Sequence, residues 1–399
     1  MSNSSSLCLT TSSSRATLNS SKNSRYLVIA AVVAYYLWAS TAFNDLGTNG
    51  YYNYLTRGLL AGHLYVPIEV NPRLLALPNP YDPSIPDEIR VTDMAMYKAR
   101  YYVYHGPAPA LLAFIPYKLL TRHELPEPFA VFFFATIAFL ANALTLAKLR
   151  PKSDGLTYLA LGLANCVPFL LHRIFVYEVA ISCGYACLSV ALAFYFRARH
   201  LAAGLFLGLA LLSRPHLALA LLFVSPRCWP TAAIGAILSL AYNYLRFGSP
   251  FEFGLSYLLA GPGQQTPHFS ATNLLPSLYL FWLQPPEFTW TRPFFRIVAT
   301  TALPLPPGFF HENMLGALWL APFLLRVRPH LRLSLLSATL MLFLSTTGWV
   351  TLRYTVDFLP LLVLAALCRL NSGPLEKVLL LTGIAINLVL HWLGPYNAP

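Results

Sequence analysis

The stretch FNDLGTNGYYNYLTRGLLAGHLYV, residues 43–66, decides how the chain is interpreted, because here an apolar run gives way at once to polar and aromatic residues. It opens a segment rich in Pro and Tyr that continues to Thr121. Eight of the 15 acidic residues lie between Asp45 and Glu127. In a chain with few charges, acids gathered in one loop suggest a functional site. We therefore predict a long folded loop held against a membrane.

The composition indicates a polytopic membrane protein. The 399 residues are 56% hydrophobic and only 11% charged, whereas soluble domains carry about 25% charged residues. The net charge of +12 could suggest a nucleic-acid partner, but the basic residues form short clusters between apolar runs. That arrangement is typical of topology signals, so we predict membrane lipids and no nucleic acid as partners. The six cysteines form no CxxC pair, and we interpret them as packing residues.

Residues 1–24 consist mainly of Ser, Asn and Thr, have no acid, and are expected to form a disordered cytoplasmic tail. Residues 25–399 are predicted to form one transmembrane domain. Its first span, 26–43, lacks a small-residue cleavage site and is interpreted as an uncleaved signal anchor. Basic residues before this span place the N-terminus in the cytoplasm.

The segment 44–126 is then the first outer loop. Its part Pro109–Thr121 is apolar on one side but too short to span, so we predict a helix lying in the membrane interface. The segment 247–310 is a second outer loop, interpreted as a partly helical lid. Residues 201–226 are interpreted either as a short hairpin with Arg214 at the outer surface or as one kinked helix.

With these assignments the chain is an all-α polytopic membrane protein with about eleven transmembrane helices, within a range of 10 to 12. The basic clusters of five separate loops then all face the cytoplasm, as the positive-inside rule requires. These clusters are Lys148/Arg150/Lys152, Arg197/Arg199, Arg227, Arg326/Arg328/Arg332 and Arg369/Lys377.

Four acids at outer helix ends or in the first loop are candidate site residues, because a charge at a membrane helix end is costly unless it is solvated, paired or functional. Three have an alternative structural role. Asp357 could pair with Arg353 one helical turn away, Glu178 could pair with Arg173 or Arg214, and Asp93 could cap a helix. Asp45 has only Arg57 as a basic neighbour in sequence, and we favour a functional role for it.

The basic candidates on the same side are Lys98, Arg100, Arg214, Arg246 and Arg353. Lys98 and Arg100 lie among tyrosines that include Tyr102. This segment is interpreted either as an aromatic belt with snorkelling cations or as a clamp for a lipid phosphate. His105 is followed by Gly and Pro, which predicts a tight turn, with a catalytic role as the alternative. A carboxylate beside such cations suits transfer from a lipid-linked phosphate, in which the carboxylate takes a proton from an acceptor hydroxyl.

Several segments resemble a bacterial family of polytopic membrane proteins with the architecture of the GT-C class of membrane glycosyltransferases. They are LLALPNPYDP (74–83), DMAMYKARYYVYHGPAPAL (93–111), VYEVAISCGYA (176–186), LLSRPHLAL (211–219), YNYLRFGSPFEFG (242–254) and RYTVDFLP (353–360). The resemblance covers about residues 35 to 370, and the nearest members of the class are the protein O-mannosyltransferase and aminoarabinose transferase group.

The resemblance implies a polyprenyl-phosphate-linked sugar donor, a lipid, glycan or protein acceptor of the cell envelope, and a place in the bacterial inner membrane. By position Asp45 matches the catalytic base and Glu178 a second acid, with Asp93 as a further candidate. Lys98 or Arg100 matches the contact to the donor phosphate. No second acid follows Asp45 and no Lys-Pro pair precedes Pro109, which leaves the donor sugar and the role of Lys98 open.

No cofactor is certain from the resemblance, since only some GT-C enzymes need a divalent cation, and no clear metal ligands are present beyond Asp45 and Glu178. A transporter or a lipid or polysaccharide flippase is the alternative function. The Tyr-rich loop has no second copy and the acids lie on one side, which favours the enzyme over a transporter built from repeats. An inactive scaffold or a polymerase of surface polysaccharide is a third interpretation.

Overall fold

The computed structural model describes residues 6–393 except 173, 261–267, 289, 291–294, 298–300, 302 and 372. The described chain is mostly helical, as the sequence predicts. Its α-helices are α1 (Ser6–Ala42), α2 (Tyr51–Leu60), α3 (Pro72–Leu75), α4 (Ile115–Thr121), α5 (Glu127–Leu149), α6 (Gly155–Leu163), α7 (Val167–Leu170), α8 (Val176–Tyr195), α9 (His200–Ser213), α10 (Trp229–Phe247), α11 (Leu274–Trp282), α12 (Ala317–Leu320), α13 (Leu331–Thr346), α14 (Leu359–Leu367) and α15 (Pro374–Leu393).

Shorter elements connect these helices. A π-helical turn, Ala110–Phe114, leads directly into α4, and 3₁₀ helices occupy Pro215–Phe223, Pro226–Cys228, Leu255–Tyr257, Ala271–Asn273, Pro322–Arg326 and Leu352–Asp357. The strands form three two-stranded pairs, β1 (Ala95–Tyr97) with β2 (Arg100–Tyr102), β3 (Glu287–Phe288) with β4 (Phe295–Arg296), and β5 (Phe310–His311) with β6 (Trp349–Val350). Only the last pair is parallel.

Four helical segments are long and apolar enough to cross a membrane: Ser24–Ala42, Glu127–Leu149, Val176–Tyr195 and Pro374–Trp392. Each lies where the sequence predicts a span. Of the other predicted spans, 229–246 coincides with the 19-residue helix α10, and the rest coincide with shorter or interrupted helices, of which residues 155–172 are an example. There α6 ends before Cys166, whose positive φ of 67° interrupts the helix before α7 begins.

Two expectations about short segments have different outcomes. The helix predicted over Pro109–Thr121 is present as the π-helical turn followed by α4. The helix α1 begins at Ser6, within the stretch 1–24 for which a disordered tail is expected, and that expectation stays a prediction. That stretch contains neither Gly nor Pro, so nothing in it must end a helix that starts upstream of the apolar span.

Helices α5, α8, α9 and α10 pack in sequence order, and α1 and α15 pack against α6. The approach of α9 to α10 depends on two glycines that face each other. A Cβ on Gly235 would lie 2.3 Å from the carbonyl oxygen of Gly208. Small residues of this kind allow helix backbones to meet closely in membranes, so α9 and α10 form a tight pair.

The chain reverses direction at Arg214. The proline that follows disfavours a helical conformation at Arg214, which has φ −138° and ψ 104° and ends α9. The 3₁₀ helix 215–223 then leads back along α9, since a Cβ on Gly204 would lie 1.9 Å from the carbonyl oxygen of Cys228. Of the two alternatives for residues 201–226, the structure has the hairpin, with Arg214 at its tip.

Several basic clusters meet at one end of the bundle, which we call the basic end. Three arginines there donate hydrogen bonds to backbone carbonyls of neighbouring segments, at 2.8 to 3.1 Å: Arg25 to Pro151, Arg150 to Leu367, and Arg197 to Leu144. Arg214 and the C-terminus of α10 lie at the opposite end, because α9 and α10 run in the same direction from the basic end. The two ends of the bundle are therefore chemically different.

The predicted first loop is a folded unit at that opposite end. The buried carboxylate of Glu127 accepts a hydrogen bond from the backbone N–H of Tyr52, at the N-terminus of α2. Arg57, near the other end of α2, makes two hydrogen bonds to Glu124 at 2.7 and 2.5 Å. Lys118 of α4 binds the same carboxylate at 2.9 Å. These contacts hold α2 and α4 on the start of α5.

Candidate functional site

A cavity of about 520 Å³ opens where the hairpin tip at Arg214, the end of α10 and the loop after β2 meet. This volume lies within the range of small-molecule sites. Aromatic rings form much of the wall, with additional residues from the loop 251–256 and from α13. The polar wall residues on which the arguments below depend are His105, Arg214, His216, Tyr242, Arg246 and Glu252.

Asp357 connects two of these wall residues through one carboxylate oxygen. Its side chain is fully buried, and its Oδ2 accepts a hydrogen bond from Nη2 of Arg214 at 2.7 Å. The same Oδ2 lies 3.2 Å from Nε2 of His216. The imidazole of His216 stacks on Phe343 with ring centroids 5.7 Å apart and an angle of 10° between planes. The ring of His216 is thus fixed at its edge and on its face.

The pair expected between Asp357 and Arg353 does not form. Both residues belong to the 3₁₀ helix Leu352–Asp357, which has three residues per turn, so side chains four positions apart point in different directions. Arg353 instead binds Glu312 at 2.8 Å and Glu178 at 3.6 Å. Asp357 therefore pairs with Arg214 at the hairpin tip, and Arg353 belongs to a second ion cluster with Glu178 and Glu312.

Glu178 belongs to that second cluster and not to the cavity wall. Of the two partners considered for it, Arg214 is taken by Asp357, and Arg173 lies outside the described residues. One oxygen of Glu178 also accepts the backbone N–H of Phe175 at 2.9 Å. These contacts give Glu178 a structural role at the start of α8.

Arg246 is buried in the last turn of α10 and points to backbone and aromatic groups. Its Nη1 donates to the carbonyl oxygen of Val103 at 2.6 Å and its Nη2 to Oδ1 of Asn243 at 2.7 Å. The guanidinium lies 3.9 Å from the ring centroid of Tyr242. Within the described parts of the chain, no carboxylate oxygen lies within 4.0 Å of it. Its nearest partners are therefore dipoles and π faces, and the carboxylate of Glu252 in the same cavity wall acts on its charge from beyond ion-pair distance.

The loop after β2 brings His105 into the cavity wall. A Cβ on Gly106 would lie 1.7 Å from the carbonyl oxygen of Leu212, so only glycine allows this loop to contact the end of α9. The Nε2 atom of His105 is buried without a hydrogen-bond partner. Burial lowers the pKa of His105 well below its usual value, and the guanidiniums of Arg214 and Arg353 lower it further. The ring is neutral at pH 7.

Asp93 links the two predicted outer loops and caps no helix. It has a positive φ of 62°, and its backbone N–H donates to the carbonyl oxygen of Leu259 at 2.9 Å. Burial raises the pKa of Asp93, while a hydrogen bond to its carboxylate from Tyr177 acts in the opposite direction. Asp93 is not one of the cavity wall residues.

The β1–β2 hairpin holds Lys98, Arg100 and Tyr102. Lys98 and Ala99 have φ of 49° and 56°, the conformation of tight two-residue hairpin turns, and Lys98 is exposed at the tip. The exposed guanidinium of Arg100 lies 4.4 Å from the ring centroid of Tyr65. Tyr102 is buried in the hairpin. None of the three lines the cavity.

Asp45 is exposed and lies outside the cavity wall. Its Oδ1 accepts the backbone N–H of Gly47 at 3.0 Å within its own turn. Arg57, the basic residue nearest to it in sequence, is paired with Glu124. The structure therefore brings Arg214 and Arg246 together with His105, and leaves Asp45 apart from them.

Sequence reasoning missed His216 and Tyr242. A signal for His216 was present, because it follows Arg-Pro directly at the point where an apolar run must break. No comparable signal marks Tyr242. Among the described residues, no group of three or more His, Cys, Asp or Glu side chains is placed to hold a metal ion.

Comparison of the chain with protein-family models, with curated proteins and with solved structures finds no match. The interpretation of the cavity therefore depends on its own chemistry.

Proposed function

We propose that this protein is a polytopic membrane glycosyltransferase of the GT-C type. It would transfer a sugar from a polyprenyl-phosphate donor to a lipid, glycan or protein acceptor of the cell envelope. The cavity would hold the donor phosphate and the reacting sugar. The bacterial inner membrane and the outer side of that membrane, as the place of transfer, are part of the same proposal.

The described surface supports a membrane location. Large apolar side chains are exposed along α10, among them Ile234, Ile237, Leu238 and Leu245, which is expected of a helix that faces lipid. The proposed topology has about eleven spans with the basic end in the cytoplasm, as the positive-inside rule favours. The cavity at the opposite end then opens to the outer side.

The observation that carries the proposal is that Arg246 is buried while no carboxylate of the described residues lies within 4.0 Å of it. A buried cation is costly unless an anion pairs with it, and the nearest contacts of Arg246 are a carbonyl, an amide and aromatic rings. An anion in the cavity would supply the missing partner. Arginine binds phosphate in a bidentate, charge-assisted manner, so a lipid-linked phosphate suits both the charge and the membrane setting.

A transporter remains the second candidate because of one specific observation. The helical segments are interrupted at Arg214 and at Asp357, and the two interruptions meet through a buried ion pair. Interrupted helices that bear charges at a substrate site are common in secondary transporters. A transporter would bind the same anion but would leave its covalent bonds intact.

A transfer assay separates the two candidates. Purified protein in nanodiscs is given radiolabelled polyprenyl-phosphate hexoses and pentoses, with detergent-extracted cell envelope as acceptor. We expect label to move to the envelope fraction with the unmutated protein and with Arg73→Gln, whose exposed side chain is a control. Arg246→Gln should reduce transfer at least tenfold, because a charge-assisted hydrogen bond is worth about 1.5–3 kcal/mol.

The opposite results would count against the proposal. If folded, unmutated protein transfers label from no donor, while proteoliposomes move the intact donor between leaflets, the transporter is favoured. If Arg246→Gln transfers as fast as the unmutated protein, the cavity is not the donor site. Asp45→Asn in the same assay tests the base assigned by the sequence resemblance, since that role requires loss of transfer.

A further inference from the structure

The proposed reaction needs a group that takes the proton of the acceptor hydroxyl, and the acids expected in that role lie outside the cavity. Asp45 is exposed and bonded to its own turn, and Glu178 is bonded to Arg353. Glu252 does line the cavity, but its Oε1 accepts the backbone N–H of Gly254 at 2.6 Å. Neither a general base nor its orienting partner is apparent among these carboxylates.

His216, unlike these carboxylates, has both an orienting partner and a ring nitrogen that can accept a proton. Its Nε2 lies 3.2 Å from the carboxylate of Asp357, and a carboxylate only accepts hydrogen bonds, so Nε2 carries the ring proton. The other ring nitrogen, Nδ1, makes no hydrogen bond to any described residue and is not among the buried polar atoms without a partner. The lone pair of Nδ1 is therefore accessible, and His216 is a wall residue of the cavity.

The surroundings hold the ring in this state. Arg214 donates to the same oxygen of Asp357 at 2.7 Å, so that carboxylate stays anionic. Phe343 covers one face of the imidazole and limits its rotation. Imidazoles oriented by a carboxylate in this way are the usual general bases of hydroxyl activation.

We propose that His216 is the general base of the transfer and that Asp357 is its positioning residue. This inference rests on the proposed glycosyltransferase function. Nδ1 of His216 takes the proton of the acceptor hydroxyl as its oxygen forms a bond to C1 of the sugar. The bond from C1 to the phosphate oxygen breaks, and its electron pair leaves with the polyprenyl phosphate. The imidazolium then returns its proton to the departing phosphate or to water.

Arg246 and His216 have different roles in this arrangement. Arg246 carries the charge that binds phosphate, whereas His216 meets the hydroxyl on the other substrate. His105 is also neutral and in the wall, but no carboxylate of the described residues makes a hydrogen bond that would orient it. The dyad is formed by residues 141 positions apart.

The test compares His216→Gln and His216→Ala with the unmutated protein in the transfer assay. Glutamine can still donate to Asp357 but cannot take a proton, and both variants leave the Arg214–Asp357 ion pair intact. We expect kcat to fall about 10²–10⁴-fold, the usual contribution of a general base, with KM for the donor within about threefold. Added imidazole should restore part of kcat to His216→Ala but not to His216→Gln. His63→Gln, an exposed histidine on the first loop, is the matched control.

The outcomes separate this inference from the function on which it rests. If the unmutated protein transfers no sugar, the function and the inference fall together. If it transfers sugar and His216→Gln keeps kcat within tenfold, only the inference falls, and the same holds if only KM for the donor rises. Gel filtration and thermal melting of both variants establish that lost activity is not lost folding.

Discussion

Replacement of Arg246 by glutamine and replacement of Arg353 by glutamine are expected to have opposite effects on stability and on anion binding. Arg246→Gln removes a cation that has no carboxylate partner among the described residues, while Arg353→Gln removes the cation held by Glu178 and Glu312. We expect Arg246→Gln to preserve the fold and lose anion binding. We expect Arg353→Gln to destabilise the fold.

The magnitudes follow from the contacts. Without Arg353 the buried carboxylate of Glu178 and the partly exposed carboxylate of Glu312 lose their cation, and breaking a buried ion pair costs about 3–5 kcal/mol. Loss of Arg246 gives up its hydrogen bonds to Val103 and Asn243, worth about 1.5–3 kcal/mol each, and a contact with the Tyr242 ring worth about 0.5–2 kcal/mol. These losses are offset because the substitution also removes a buried charge without an ion-pair partner, whose desolvation costs several kcal/mol. The net change for Arg246→Gln should be within about 1 kcal/mol.

The predicted loss of anion binding is measured with farnesyl phosphate and the protein in nanodiscs. Farnesol, which lacks the phosphate, is the control. Arg246→Gln should weaken binding of the phosphate about 10–150-fold, which corresponds to about 1.5–3 kcal/mol, and leave farnesol unaffected. Thermal melting in the same discs measures stability. The reasoning is refuted if Arg246→Gln melts as early as Arg353→Gln, or if it binds farnesyl phosphate as tightly as the unmutated protein.

Three further predictions concern residues of the predicted first loop, 44–126. Gly106→Ala should unfold the loop or displace it from α9, because its Cβ would lie 1.7 Å from a backbone oxygen; unchanged melting and unchanged binding of farnesyl phosphate would contradict this. The bonds from Arg57 lower the pKa of Glu124 to about 2. The stabilisation of the fold by this ion pair is therefore complete above about pH 4.5 and is lost as the pH falls toward 2. Glu124→Gln should lower stability by about 1 kcal/mol at pH 7, because the pair is partly exposed, and should flatten the acid dependence of melting; an equally steep acid loss in the variant would exclude this role. Asp45→Asn should keep at least half of the transfer rate if His216 is the base, and loss of transfer in a folded Asp45→Asn protein would return that role to Asp45.

Local rules predicted much of the backbone. The apolar spans at 26–43 and 127–147 coincide with long helices, because hydrophobic length alone sets them. The reversal at Arg214 follows from the proline after it. The break before α14 was not expected, since the sequence LRYTVD of residues 352–357 contains neither Gly nor Pro to indicate that it adopts 3₁₀ geometry.

The site was harder to predict than the backbone, because its pairs join distant residues. Arg214 and Asp357 were both recognised as misplaced charges, yet their partnership spans 143 positions. The nearest candidate in sequence, Arg353, was the wrong partner for Asp357. Sequence spacing identifies possible ion pairs within one helix. The pair that formed depends instead on the packing of the hairpin tip at Arg214 against the 3₁₀ helix Leu352–Asp357.

The most direct test of the central claim is a cryo-electron-microscopy map of the nanodisc-embedded protein with a non-transferable glycosyl phosphonate analogue of a polyprenyl donor. The account predicts the phosphonate in the cavity, with an oxygen within about 3 Å of a guanidinium nitrogen of Arg246 and the sugar on the side of His216. A phosphonate bound at Lys98 and Arg100 of the β1–β2 hairpin, or beside Asp45 with the cavity empty, would contradict this account.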